Sequence, residues 1–303
     1  MGKMHAGEAD IDERLVGDLL AAQFPHWADL AIEGIDSSGT DNAIYRLGTD
    51  LAIRLPRIEG ATGQAEWESR WLPGIAPLLP LAIPTPMALG SPGQGYPWVW
   101  AIYRWIDGES VGIEGIREPD RAATDLAAFL AALQGLDRAG GPAPATSGRG
   151  GPLTPRDPDV REALAELDDM IDVGAAGAAW DAAVRAPGWQ SRSTWIHGDL
   201  HAGNLLANDG RLTAVIDFAG LKIGDPAVDL MVAWTFLDAD SRATFRTAMS
   251  ADDASWLRGS GWALSLGLIA LPYYHLTNPF FADVARHAIA EVLADHATGR
   301  MPA

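Results

Sequence analysis

The 303-residue chain contains no cysteine. That excludes disulfides, thiolate metal sites and a cysteine nucleophile, and it fits a reducing, cytoplasmic setting. Positive charge is scarce: 22 basic against 40 acidic side chains leave a formal charge of −18. A nucleic-acid partner is not expected, because neutralising phosphates takes a basic surface. An acidic surface suits a cationic ligand, or simply solubility. Lysine is nearly missing, with only Lys3 and Lys222, so almost every cation is an arginine. Long apolar runs are missing too. The most apolar stretch, GWALSLGLIALPYYHL (261–276), is too short to span a bilayer and carries Pro272, so it reads as a buried helix. The first residues, MGKMHAGEADIDERL, hold no apolar segment of the signal-peptide kind. The expectation is a soluble cytoplasmic protein with no membrane or nucleic-acid partner; oligomeric state stays open.

What is present is a globular composition, 48% hydrophobic and 20% charged, at a length where one core commonly becomes two. The first hundred residues read as strands. IEGIDSSGTDNAIYRLG (32–48) predicts a hairpin, LAIRLPR (51–57) the next strand, and TPMALG (85–90) with YPWVWAIYRW (96–105) a second hairpin. Between them, GQAEWESRWLPGIAPLL (63–79) spaces Trp67, Trp71 and Leu72 as one helix. Beyond residue 110 the periodicity is helical: 119–136, then 157–171 with Asp157 as cap and Pro158 at the first position, then GDPAVDLMVAWTFL with Asp225 as cap. A Gly/Pro-rich stretch, 138–158, reads as a loop, and NLLANDGRLTAVIDF (204–218) as a hairpin with an Asp-Gly turn. This predicts an α+β chain in two parts. Residues 1–105 form an antiparallel-sheet lobe with one helix, and 106–303 a mostly helical lobe with an embedded hairpin.

The chemistry concentrates in WIHGDLHAGNLL (195–206). His197, Asp199 and His201 alternate, so on an extended segment they face one way and could hold a transition metal as a hydrolase does. Asn204 argues differently, since an amide oxygen suits Mg²⁺. Thirteen residues further on, AVIDFAG ends an apolar strand in Asp217. An aspartate, an asparagine five residues later, a hairpin and a second aspartate match the layout of a kinase catalytic loop and its metal-binding carboxylate.

HGDLHAGNLL followed by VIDFAGLKIGDPAVDL resembles the aminoglycoside phosphotransferase family, small-molecule antibiotic kinases with a bilobal, protein-kinase-like fold. The resemblance implies that Asp199 is the catalytic aspartate and that Asn204 and Asp217 hold Mg²⁺. It also implies that ATP or GTP is the co-substrate. His197, His201 and Asp229 become groups that shape the loop. Over the phosphates it implies the turn Ser37, Ser38, Gly39 and Thr40. Where kinases carry a strand lysine this chain has Arg54, steered by Glu68 or, as the alternative, Glu66. At the hinge it implies Tyr103 behind the base, with the backbone of Arg104 and Ile106 on the purine. "DFAG" departs from the commoner Asp-Phe-Gly, and Ala202 stands where proline is frequent.

The acceptor pocket in this family is built by C-terminal helices, where Trp234, Trp262, Tyr273, Tyr274, His275 and Asn278 stand; Tyr273, Tyr274 and Asn278 are the candidates. The expected function is phosphoryl transfer to a hydroxyl of a small molecule. An aminoglycoside-type, and so cationic, antibiotic is first choice, with a macrolide next. A metal hydrolase on His197, Asp199 and His201 and a non-catalytic pseudokinase remain the alternatives.

Overall fold

The structure is a computed structural model that describes residues 9–35, 41–110 and 112–302. The chain divides into two compact units, residues 1–77 with 82–107, and residues 78–81 with 108–303.

The first unit is a five-stranded antiparallel sheet built from β1 (Ile32–Ile35), β2 (Asn42–Leu47), β3 (Leu51–Pro56), β4 (Pro86–Gly90) and β5 (Trp100–Arg104), in the order β1-β2-β3-β5-β4. Alternation sends the two sides of each strand to different tasks. On one face Tyr45, Leu47, Ile53, Leu55, Trp100 and Ile102 form a core. That face receives α1 (Glu13–Gln23), which the sequence reading did not anticipate. Among the described residues the unit has two α-helices. The signal was present: Asp12 accepts from Leu15 N–H at 2.8 Å as N-cap, and Val16, Leu19 and Leu20 recur on one side and are buried. Burying each leucine contributes roughly 1.5–3 kcal/mol of transfer free energy.

The other face receives α2 (Gln64–Ile75). There Ala52, Ala65, Ala101 and Tyr103 pack together, and small residues on both surfaces let helix and sheet approach closely. In register, Ala52 faces Tyr103 and Arg54 faces Ala101. Arg54 and Tyr103 are thus diagonal neighbours under the helix.

The second unit holds α3 (Pro119–Gln134), α4 (Asp157–Glu166), α5 (Val173–Arg185), α6 (Val232–Thr235), α7 (Ala239–Met249), α8 (Asp253–Tyr274) and α9 (Pro279–Ala297). As the 261–276 stretch predicts, α8 is central: it is buried all round from Ser255 to Leu268, the state of a helix apolar on every side. Short strands are set among the helices. β6 (Glu109–Ser110), β8 (Leu205–Asn208) and β9 (Arg211–Val215) make one sheet, and β7 (Thr194–Ile196) pairs antiparallel with β10 (Lys222–Gly224). Asp209 and Gly210 turn β8 into β9 with φ of 50° and 71°, as an Asp-Gly hairpin requires. Among the described residues no helix is long and apolar enough to cross a membrane.

Three local expectations change. Asp157 is not a cap. It lies inside the helical run that begins at Thr154, and its carboxylate accepts from Trp180 Nε1 and Arg161 Nε. Asp225 does cap its helix, but the first six residues, Pro226–Met231, wind as a 3₁₀ helix. Trp234 and Trp262 are core residues, 0% and 3% exposed, and Trp234 donates to the buried Asp295.

Candidate functional site

In the first unit three side chains close on one carboxylate. Glu68, fully buried on α2, accepts from Arg54 Nη1 at 3.2 Å and Nη2 at 2.6 Å, from the Tyr103 hydroxyl at 2.6 Å and from Gln64 Nε2 at 2.9 Å. Arg54 Nη2 also donates to the Tyr103 hydroxyl at 2.7 Å, and its guanidinium lies 4.8 Å from the centre of that ring. A planar fork on a carboxylate is the geometry arginine favours over lysine. Glu68, not the exposed Glu66, is therefore Arg54's partner. Tyr103 joins this cluster through its hydroxyl. The backbone N–H of Arg104 is spent on Thr85 O at 2.9 Å, and Ile106 follows in the segment after β5. Ser37, Ser38, Gly39 and Thr40 lie outside the described residues.

In the second unit the polar stretch after β7 is laced by main-chain bonds. Asp229, fully buried, accepts from the N–H groups of His197 at 2.8 Å and Gly198 at 2.7 Å, one on each oxygen. Burial pushes its carboxyl up to about 7, against the pull of those two donors. His197 Nδ1 accepts from Asp199 N–H at 3.2 Å, so its proton sits on Nε2, which donates to Ile216 O at 3.1 Å. His201 Nδ1 accepts from Gly203 N–H at 3.0 Å, and its Nε2 lies 3.5 Å from Asp199 Oδ1. Burial lowers both imidazoles, His197 to about 4, although Asp199 and Asp217 act in the opposite sense on each. Near neutral pH both are uncharged.

Asn204 and Asp217 meet the same knot. The Asn204 amide donates to Asp199 O at 2.9 Å, and Ile216 N–H donates to Asn204 O at 2.9 Å. Ile216 thus ties both Asn204 and His197 to the residue just before Asp217. Asp217 itself takes a left-handed φ of 63°, a conformation that costs of order 1–3 kcal/mol in a residue with a side chain and collects at functional sites. Gly198 and Gly220 allow the two loops to touch. A Cβ on Gly198 would stand 2.6 Å from Gly220 O, and one on Gly220 2.6 Å from His197 O. The glycine of "DFAG" is needed for this contact, one residue later than in the commoner motif.

Two basic groups that the sequence reading left unassigned also reach this place. Arg149, from the loop between α3 and α4, forms an ion pair with Asp199 Oδ1. Burial, the largest single influence, would raise the Asp199 carboxyl, but His201, Arg149 and His197 together hold it below the usual carboxylate value. Lys222 is lowered by burial and by Arg149, with Asp199 opposing. No motif marked Arg149, because it is brought in by a distant loop.

The proposed acceptor residues lie together at the end of α8: the rings of Tyr273 and Tyr274 stand 4.7 Å apart, and Asn278 N–H donates to Tyr274 O at 2.9 Å. Asn278 Oδ1 caps α9 by accepting from Phe281 N–H at 3.2 Å. Tyr273, 58% exposed, lines a cavity of about 450 Å³ with Asp159, Glu162 and Glu166. Tyr274 is joined to the loop through an aromatic neighbour: its ring lies 5.0 Å from Phe281, which lies 5.1 Å from His201. Phe281 was not singled out in the sequence, since helical aromatics usually signal core.

Comparison with known proteins identifies the family and the fold. A model of the phosphotransferase enzyme family matches residues 34–263. The uncharacterized protein YcbJ of Bacillus subtilis (strain 168) is 30% identical over 166 residues, covering 52% of this chain and 49% of that protein. The chain thus spans about half the length of the curated relative it matches. Among solved structures, the GDP complex of wild-type aminoglycoside 2'-phosphotransferase-IIIa aligns with a TM-score of 0.66 at 18% identity, over 94% of this chain and 100% of the other. The macrolide 2'-phosphotransferase MphH from Brachybacterium faecium, an apoenzyme, aligns with 0.57 at 24% identity, over 92% and 98%. At such identities the likeness is one of fold.

Proposed function

We propose a reaction for a chain that belongs to the phosphotransferase enzyme family and is an aminoglycoside-phosphotransferase-like small-molecule kinase: transfer of the terminal phosphoryl group of ATP or GTP to an acceptor hydroxyl. The observation that carries this reading is the main-chain knot at Ile216, which gathers Asp199, Asn204 and Asp217 at the ends of one short loop and one hairpin.

In this reading Asp199 receives the acceptor O–H. The hydroxyl oxygen forms a bond to the terminal phosphorus, the bond from that phosphorus to the bridging oxygen breaks, and a nucleoside diphosphate leaves. The hydroxyl proton passes to Asp199 and on to solvent. Little covalent help is required; orientation and charge neutralisation carry such transfers. The donor set at Asn204 and Asp217 fits Mg²⁺, because the Asn204 amide nitrogen is already donating and an amide oxygen and a carboxylate are hard ligands. Asn204 and Asp217 would hold Mg²⁺, which would supply charge neutralisation for the phosphate. Arg54, held in place by Glu68 and Tyr103, binds phosphate in the first unit, with Arg104 and Ile106 next in the chain toward the base. His197, His201 and Asp229 keep the loop in shape. The hydrolase alternative loses support here: Nδ1 of each imidazole is taken by a backbone N–H, and Nε2 of His197 by a carbonyl.

An aminoglycoside-type antibiotic is the first acceptor class to try and a macrolide the second. Turnover of MgATP and MgGTP against such a panel tests the proposal. Asp199→Asn and Asp217→Ala should each lower kcat on the order of 10³-fold. Wild-type turnover in either variant would overturn its assigned role. Nucleotide binding without transfer to any acceptor or to water would favour a pseudokinase.

A further inference from the structure

We propose that Arg149 is a positioning residue for phosphoryl transfer, fixing the Asp199 carboxylate so that one oxygen is held and the other meets the acceptor hydroxyl. The inference rests on the reading of Asp199 given above.

The first support is the pair itself, Arg149 Nη1 on Asp199 Oδ1. The second is that the backbone carrying Arg149 is built into place. Gly148 and Gly150 both take left-handed φ, 64° and 81°, and Gly151 N–H closes the turn on Gly148 O at 2.9 Å. Gly150 O accepts from Asp225 N–H at 2.8 Å, and Ala145 N–H donates to Ile223 O at 2.7 Å. These bonds bind the loop to β10, whose partner strand β7 runs directly into His197–Asp199. A Cβ on Gly150 would stand 2.3 Å from Ile196 Cδ1, so the loop approaches that strand as closely as backbone allows. A segment that reads as a floppy connector is a fixed arm with an arginine at its tip.

The third support is local charge. HGDLHAGN (197–204) contains no lysine or arginine. A guanidinium or ammonium group at Asp199 must come from outside the loop. Stability alone is a poor account of the arrangement. The Arg149 side chain is 39% exposed, and half-exposed ion pairs contribute little to folding. Orientation is the better account, because a reacting group out of place by about an ångström can cost on the order of 100-fold in rate.

The test compares Arg149→Ala, Arg149→Lys and Asp199→Asn in the full chain. It measures turnover of MgATP and MgGTP with water as acceptor and with kanamycin added, and takes crystal structures of the wild type and Arg149→Ala. The expected result is a kcat lowered roughly 10- to 100-fold in Arg149→Ala, with nucleotide KM and melting temperature close to wild type. Arg149→Lys, and guanidinium added to Arg149→Ala, should restore part of the rate, and the Asp199 carboxylate should turn in the variant crystal. Wild-type or higher kcat in Arg149→Ala overturns the proposal. So does a loss that neither lysine nor guanidinium relieves, or an Asp199 that stays in place without Arg149. The crystal comparison decides even if turnover is too slow to follow. If Asp199→Asn keeps wild-type turnover, the reading of Asp199 fails; if it is inactive while Arg149→Ala turns over at the wild-type rate, only this inference fails.

Discussion

The two units hold their buried carboxylates by opposite means. Glu68 in the first unit is held by side chains: Arg54, Tyr103 and Gln64 surround it, and the charge is cancelled within the cluster. In the second unit the holding groups are main chain. Asp229 takes the N–H groups of His197 and Gly198, and Asn204 and His197 are tied through Ile216. A side-chain cluster depends on every partner's identity, and removing one strands a buried charge. Side chains bonded to main-chain groups depend on the backbone path as well, which is why this loop needs Gly198 and Gly220 in contact.

That contrast can be broken or sharpened by measurement. The largest effect should come from Glu68→Ala, which leaves the Arg54 guanidinium and the Tyr103 hydroxyl facing an empty carboxylate position. A loss of about 3–5 kcal/mol is expected for breaking a buried pair from one side, read by urea unfolding. Arg54→Met with Glu68→Ala should lose less than the two singles added together. A fully additive pair would show that the cluster is not one unit.

Asp229→Ala should come next. It orphans two buried N–H groups, at about 1–3 kcal/mol for an unsatisfied donor, and amide hydrogen exchange should rise at His197 and Gly198 first. Exchange rising evenly across the chain would mean that Asp229 braces the whole unit rather than this loop. Tyr103→Phe is milder, about 0.5–1.5 kcal/mol for each of the hydroxyl's two hydrogen bonds. It should leave the Arg54–Glu68 pair intact, as a crystal structure would reveal.

The smallest effect is a pH slope with competing signs. His197 is lowered to about 4 and His201 is lowered too. Both contribute stability that is present above the usual imidazole value and lost as pH falls toward the folded one. Asp229 is raised to about 7, so its contribution is present below the ordinary carboxylate value and lost as pH rises through 7. Between pH 4 and 6.5 one histidine and Asp229 nearly cancel, and the second histidine tips the balance. Melting temperature should therefore fall gently on acidification from pH 6.5 to 4. It should fall more steeply in Asp229→Ala, where the opposing contribution is gone; an unchanged slope there would contradict the assignment.

The residues differ in how far their roles could be read beforehand. The grouping of Asp199, Asn204 and Asp217 was legible because their spacing is local, within one loop and one hairpin. The α+β layout was legible because strand and helix periods change near residue 110. The Arg54–Glu68 pairing was half legible: the strand and helix were plain, but choosing Glu68 over Glu66 needed the helix phase. The α1 helix was overlooked, although Asp12 and the Val16, Leu19 and Leu20 stripe announced it. Asn278, a candidate for the acceptor pocket, also caps α9 through its side chain.

By itself the sequence determined the chemistry on offer: an acidic, cysteine-free chain with one loop of hard oxygen ligands and an arginine where a lysine is customary. Tertiary structure alone decided which groups meet. It joined the Tyr103 hydroxyl to Glu68, set Gly198 on Gly220, and carried Arg149 across fifty residues of chain to Asp199. The physical reason is range. Periodicity and capping act over a few residues and leave a trace in the string, whereas an ion pair between distant segments depends on packing that no local pattern records.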